Sequence, residues 1–291
     1  MTLEIGIALA LVCAFVTNLG FLLKHRGACE SPAVDVRHPI SSAVALFRSR
    51  YFVAGYAVAL VAFSLHVAAL WMAPISVVQS VISGGLVFLA VIAERMFGYH
   101  LGARQWAGVI LTAIGMMLLA LTIPQHGHGG YSLNALVAFE GGALCIGLLL
   151  LLGPRLGSAH RHTGVLLGAA SGVLIGVSDV AIKAMTNIAA DTGVMTALLT
   201  PWLLLALTMA VVSFYSVARG LQTGDAVPVI TMIGVAATLT QIVGGFLVFG
   251  DPMPAHLLGI IGQTFGFVLV CTAAVLVPAP TRAARLEPAA A

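Results

Sequence analysis

The sequence predicts an all-α polytopic membrane protein with about nine transmembrane helices. Three observations carry that expectation: composition, the length of the apolar runs, and the placement of Lys and Arg. Of the 291 residues, 60% are hydrophobic and only 8% charged, with a mean hydropathy of +1.08. Such a chain cannot cover itself with a water-facing surface. Its apolar runs have the roughly 20 residues that cross about 30 Å of hydrocarbon as helix. The short alternating segments of a transmembrane barrel are absent.

Apolar runs bounded by charge, Pro and Gly place the spans near 3–23, 51–73, 76–95, 104–123, 132–152, 164–187, 195–218, 226–249 and 255–277. Glu4 replaces the basic n-region of a signal peptide, so the first run reads as a membrane helix. Residues 39–47 are mildly apolar, but too short to span and closely flanked by Arg37, His38, Arg48 and Arg50. They read as a cytoplasmic interfacial segment.

Short translocated loops avoid Lys and Arg, whereas cytoplasmic loops retain them. With the N-terminus outside, the inner loops receive Lys24, Arg26, Arg37, Arg48 and Arg50, then Arg95 and Arg104, Arg155 and Arg161, Arg219, and finally Arg282 and Arg285. The outer connections receive none and carry Asp191 and Asp251 instead; Lys183 alone falls within a span. The expected location is a bacterial plasma membrane with the C-terminus cytoplasmic.

The two halves of the chain correspond. Leu70, Pro74 and Gly108 match Leu221, Asp225 and Gly259 at one offset of 151 positions, and the end of span one, Gly20 to Lys24, matches the end of span six, Asp179 to Lys183. The expected organisation is a first repeat over 1–123 with the cytoplasmic segment 24–50, a connecting helix over 124–160, a second repeat over 161–278, and a tail over 279–291. Five crossings separate each helix from its counterpart, so the second four-helix copy is inverted. This is the sequence signature of many secondary transporters, which bind solute near the midplane between their halves.

Gly20-Phe-Leu-Leu-Lys-His-Arg-Gly27, Ala68 to Val78, Ala93-Glu-Arg95 with Gly108 beyond it, Ser171 to Lys183 and Asp225-Ala-Val-Pro-Val229 resemble the drug/metabolite transporter superfamily. The arrangement is most similar to its NIPA-like magnesium transporter branch. The resemblance implies a helical carrier built from inverted repeats. In the NIPA-like pattern the second span holds a Gly-Glu pair and an Asn-Phe pair, where this chain has Ala62-Phe63 and His66-Val67. Mg²⁺ favours oxygen ligands, usually with carboxylate among them, so the missing Glu weakens the inheritance of magnesium.

Ionisable groups inside a span face the bundle interior or a wet cavity, because lipid exposure costs several kcal/mol. Glu140, in span five, is a candidate proton-coupling carboxylate or a hydrogen-bonded structural one. Asp179 and Lys183 are four positions apart and share a helix face, as an ion pair that is structural or that solute opens. Lys24 is their counterpart at the inner end of span one, where a snorkelling anchor is the plainer role. His66, a titratable ring at the resemblance's polar position, is a candidate proton carrier or solute contact. Asn18, Gln79, Thr240, Gln241 and Gln263 offer uncharged groups that line a polar route or bond between helices. Glu94 beside Arg95 reads as local pairing at the inner boundary.

Gly164, Gly168, Gly172 and Gly176 form a smooth stripe on span six for close helix packing; Ser83-Gly84-Gly85 and Gly244-Gly245 read the same way. His126 and His128 make a weak metal pair, and His160, Arg161 and His162 a basic headgroup patch. Cys13, Cys145 and Cys271 fall in apolar runs and Cys29 in a charged loop, with no disulfide or metal set implied. No phosphate loop or nucleophile-base set is visible, so neither an enzyme nor a cofactor is expected. The scattered basic residues exclude nucleic acid. The expected partners are a small-molecule or ion substrate and membrane lipids, with a homodimer left open.

These readings favour a carrier of a small polar or amphipathic solute by alternating access. The alternatives are a NIPA-like transporter of magnesium or another divalent cation, and a non-transporting membrane scaffold.

Overall fold

A computed structural model describes residues 2–35, 37–72, 75–122, 132–156, 162–250 and 256–276. The described residues form helices α1 (Thr2–Glu30), α2 (Pro39–Arg48), α3 (Arg50–Met72), α4 (Ile75–Gly84), α5 (Leu86–Phe97), α6 (Ala103–Thr122), α7 (Leu133–Leu156), α8 (Thr163–Thr192), α9 (Val194–Leu198), α10 (Pro201–Thr223), α11 (Ala226–Val248) and α12 (Leu257–Leu276). No strand occurs among them. Seven of the helices (α1, α3, α6, α7, α8, α10 and α11) are each long and apolar enough to cross a membrane, and α12 contributes a shorter apolar stretch. The protein is an all-α polytopic membrane protein.

The helices depart from the expected spans where breakers differ from polarity. Charge at Lys24 does not end α1; the first breaker is Ser31-Pro32, so the helix runs on to Glu30. Cys29 therefore lies on α1 and not in a loop, with its thiol donating to the Leu221 carbonyl at 3.4 Å. The expected third span, 76–95, is split into α4 and α5 at Gly85. The expected seventh span, 195–218, is replaced by the short α9 and by α10. Gly193, at φ +97°, ends α8, and Pro201, at the first turn, starts α10. Residues 39–48 form a ten-residue helix with Ser42 and Leu46 buried and Ile40 79% exposed. It is too short to span and packs against α3.

Glycines set the closest crossings. A Cβ on Gly20 would lie 3.1 Å from the Gly55 carbonyl oxygen, and one on Gly55 would lie 2.8 Å from that of Gly20, so α1 and α3 meet backbone to backbone. The glycine stripe of α8 does the same against α11 and its preceding turn. A Cβ on Gly164 would come 2.4 Å from Gly224, one on Gly172 2.5 Å from the Ile233 carbonyl oxygen, and one on Gly176 2.5 Å from Thr240. Gly115 of α6 and Gly266 of α12 form a third crossing, each Cβ position 2.8 to 2.9 Å from the other's carbonyl oxygen. These pairs are the packing surfaces that small residues permit between membrane helices.

One end of the bundle is tied across its two halves. The Gln222 amide donates to the carbonyls of Ala28 and Pro32 at 3.0 Å each, and its oxygen accepts from the Val34 amide at 2.9 Å. The Tyr215 hydroxyl donates to the Pro39 carbonyl at 2.9 Å, and Phe214 stacks on Phe47. His25 lies buried between the Tyr99 hydroxyl, 3.0 Å from Nδ1, and the Gly224 carbonyl, 3.3 Å from Nε2. Because a carbonyl only accepts, Nε2 carries the proton toward Gly224 and Nδ1 accepts from Tyr99. Beneath these bonds lies a shared core that includes Leu22, Phe52, Ile92, Leu221, Val229 and Ile233. The segments gathered here carry Arg26, Arg37, Arg48, Arg95 and Arg219, which were all expected on one side.

Burial holds the Tyr99 phenol protonated, its pKa pushed up to about 12 from an ordinary 10.0. The folded state thus keeps a proton that the unfolded chain loses, so this contribution is intact below about pH 10 and is lost as pH rises through about 12. Tyr99→Phe should flatten the fall in thermal stability over that alkaline window, as followed by melting in detergent. Gly172→Val should lower stability by about 1–3 kcal/mol or more, since neither backbone can retreat; a reduced melting temperature with a disturbed gel-filtration profile is the expected reading.

Candidate functional site

A cavity of about 640 Å³ lies between the halves, walled by α1, α4, α5, α6 and α11. Most of its wall is apolar, from residues such as Leu86, Met116, Leu119, Ile233 and Phe246, and its polar lining is Thr17, Asn18, Ser83, Thr238 and Gln241. The tied end of the bundle closes it on one side: along α1, Ala14 to Phe21 line the cavity whereas Leu22 and Ala28 belong to the closing core. Along α11 the same passage runs from Ala226, in the core, out to Phe246, in the cavity.

The break at Gly85 shapes the cavity floor. A Cβ there would sit 2.3 Å from that of Ala14, so only glycine lets the kinked helix lean on α1. The Gly85 carbonyl accepts from the Phe88 amide at 2.9 Å, a tight i to i+3 turn, and again from the Asn18 side chain at 3.1 Å. Asn18 spends its second amide hydrogen on the Ala14 carbonyl at 2.8 Å. Buried itself, it joins α1 to the kink and leaves its oxygen toward the cavity.

On the opposite wall the Gln241 amide donates to the Asp179 carboxylate at 2.6 Å, joining α11 to α8. Lys183 places its ammonium over the Phe249 ring, 4.4 Å from the centroid. A smaller cavity of about 250 Å³ shares Thr17, Phe21 and Ile82 with the main one and is lined further by His66 and Lys24. Lys24 does not simply extend toward an aqueous surface: its ammonium sits over the rings of Phe21 and Tyr56, at 4.8 and 4.4 Å.

The structure therefore brings Asn18 and Gln241 to one cavity, sets Asp179 behind Gln241, and places His66 and Lys24 in the adjoining lobe. It does not bring Glu140 there: that carboxyl is buried in α7 with neither oxygen partnered. Gln263, on α12, has its amide nitrogen buried without a partner and lines neither cavity. The Thr240 hydroxyl bonds back to the Ala236 carbonyl at 2.8 Å. Glu94 accepts from the Trp106 ring and the Leu101 amide at 3.0 and 3.1 Å, which makes it a local clasp between α5 and α6. The side chain of Gln79, and His126, His128, His160, Arg161 and Asp251, lie outside the described residues. Thr17 and Thr238 were not singled out from the sequence; Thr238 stands three positions before Gln241, and that shared helix face was the available signal. Among the described residues no group of three or more His, Cys, Asp or Glu is placed to hold a metal.

Membrane-spanning helices around a partly polar, partly open cavity are the architecture of a membrane protein of the transporter class. Kinship agrees. The chain is 25% identical to the probable magnesium transporter NIPA9 of Arabidopsis thaliana, over 97% of this chain and 84% of that protein. It is 27% identical to an uncharacterised protein of Corynebacterium glutamicum, over 85% of each. The chain is thus similar to a NIPA-type membrane transporter. No family model matches the chain, and no solved structure matches it.

Asn18→Ala should lower thermal stability by about 1–3 kcal/mol, because two carbonyls inside the bundle lose a donor. A melting temperature unchanged from the parent would show that the Gly85 kink does not depend on this amide.

Proposed function

We propose that the protein is a secondary transporter that moves a small polar or amphipathic solute by alternating access, using about nine crossings arranged as two inverted four-helix repeats over 1–123 and 161–278. The observation that carries the reading is the cavity between the halves, sealed at one end by residues from both. Paired packing supports the repeat. Gly20 against Gly55 joins α1 to α3, as Gly164 and Gly220 join α8 to α10. Gly115 and Gly266, 151 positions apart like Gly108 and Gly259, touch each other across α6 and α12. Equivalent positions of two inverted copies meet in this way only beside the axis that relates them.

The sealed end carries the Arg-bearing segments, so the charge rule makes it cytoplasmic and the cavity outward-facing. Gln222, Tyr215 and His25 then serve as the inner gate, and opening it requires their bonds across the halves to break while a counterpart closes outside. A bacterial plasma membrane is the setting that fits this topology. The second reading, transport of magnesium or another divalent cation, is favoured by the name of the Arabidopsis relative. Phe63 at the place of the pattern's Glu, and a mostly apolar cavity wall, weigh against it.

Accessibility labelling in a cysteine-free background tests the arrangement. His100→Cys and His162→Cys should react with an impermeant maleimide from the same, cytoplasmic side; labelling from opposite sides would remove the inverted repeat. In the same background Gly234→Cys, where a side chain has open space, should react from outside. Added Gln222→Ala and Tyr215→Phe should raise its reaction from the cytoplasmic side several-fold. An unaltered pattern would remove the gate.

A further inference from the structure

We infer that the cavity selects solutes that donate hydrogen bonds and carry positive charge, and that its substrate class is the amphipathic amine in its ammonium form. The inference rests on the transporter reading above and adds the chemistry of the solute.

The argument is a count of donors. An amide side chain has two hydrogens on nitrogen and an oxygen that accepts. Asn18 gives both hydrogens to carbonyl oxygens, those of Ala14 and Gly85. Those partners can only accept, which fixes the amide with its nitrogen turned into the protein. Gln241 turns its nitrogen to the Asp179 carboxylate. Each amide lines the cavity with only its oxygen left to accept, and neither oxygen has a partner among the described residues. Of the remaining polar lining, Thr17, Ser83 and Thr238 are hydroxyls, which donate or accept as the solute requires. The fixed part of the polar lining is therefore an acceptor surface on two facing walls.

Charge points the same way. Asp179 stands directly behind Gln241, and polarising that amide through its N–H makes the oxygen a stronger acceptor. A carboxylate or phosphate on the solute would meet two carbonyl oxygens and Asp179 and would be repelled. Two cations lie nearby, Lys24 in the adjoining lobe and Lys183 one turn beyond Asp179, and each has its ammonium over an aromatic ring. Lys24 is the one that opposes a cationic solute, because its lobe shares Thr17 and Phe21 with the main cavity.

Size and apolarity choose among donors. A fully hydrated divalent cation also presents only donors, but its water shell needs acceptors all round. Here most of the wall is Ile, Leu, Met and Phe, and a cavity of about 640 Å³ holds a body of ten or more heavy atoms. An ammonium seated between the Asn18 and Gln241 oxygens, with an apolar body along Leu86, Met116 and Ile233, fills both demands.

The test is calorimetric titration of the full-length protein in nanodiscs with three probes of one shape, phenethylamine, phenethyl alcohol and phenylacetate, and with MgCl₂. The amine should bind saturably and about tenfold or more tighter than the alcohol, as a charge-assisted contact predicts, and phenylacetate should not bind. Asp179→Asn, at an exposed position that the fold tolerates, should weaken the amine about tenfold and leave the alcohol little changed. Lys24→Gln should tighten the amine alone. A purely structural role for either residue would move amine and alcohol together. Equal binding of amine and carboxylate, saturable Mg²⁺ binding without amine binding, or no charge-dependent split in the variants would each overturn the inference. Flux in proteoliposomes separates it from the reading beneath it: Mg²⁺ or anion flux without amine binding removes the amine and keeps the transporter, whereas amine binding without amine flux removes transport and keeps the site.

Discussion

Inside hydrocarbon a polar group has no water to fall back on, so each must find its partner within the protein or face a cavity. That constraint organises the middle of this molecule. Asn18 sits on a helix that passes a kinked neighbour, and the kink disturbs the ladder of backbone hydrogen bonds at Gly85. The amide meets the Gly85 carbonyl and one carbonyl of its own helix, which consumes its donors. Gln241 is constrained in the same way by Asp179. What the cavity offers a solute is the remainder after these internal needs are met. Stability and selectivity are thus set by the same bonds, and a change that frees a donor alters both.

Close helix crossings give these bonds their geometry. Where Gly20 and Gly55, the α8 stripe and α11, or Gly115 and Gly266 bring backbones into contact, no room is left for a side chain and the helices pack directly on one another. Between the halves Gly115 and Gly266 make one backbone crossing, and the closed end is held by a side-chain amide, a phenol, an imidazole and stacked rings. Individually modest hydrogen bonds can break and re-form without disturbing a backbone crossing. A rocking mechanism of the kind proposed would pivot at the Gly115–Gly266 crossing and break the side-chain bonds at the closed end.

Much of this was legible in the sequence, and the reason differs by feature. Membrane helices announce themselves by length and hydropathy, and the α8 stripe by its four-residue spacing, because both are properties of a single helix. Asn18 and Gln241 were legible as polar residues in apolar runs. The bond between Gln241 and Asp179 was not, since it links positions 62 apart and no local spacing encodes it; the spacing of Asp179 and Lys183 pointed instead to a pair along one helix. Helix ends were misjudged wherever polarity was read as a boundary. Lys24 to Glu30 are polar yet helical, because a helix stops at a backbone breaker and not at the edge of the lipid. The Gly85 kink was visible only as a small-residue cluster, which packing alone explains equally well until α1 is placed against it.

The second span is where this chain departs from the pattern it resembles. The NIPA-like pattern it resembles puts a carboxylate there, and this chain has Phe63, 63% exposed and beside His66 in the smaller lobe. A carboxylate at that place would lie in the lobe that holds Lys24 and neutralise it. Without one, the groups over the Lys24 ammonium among the described residues are the rings of Phe21 and Tyr56. Rings hold a cation by their quadrupole without cancelling its charge, so the lobe remains positive while the Gln241 wall, backed by Asp179, is negative. The cavity is therefore polarised along its length. A small hard cation, which gains most from carboxylates gathered on one centre, finds them dispersed here, whereas a larger solute with charge at one end and carbon at the other has a defined way to lie.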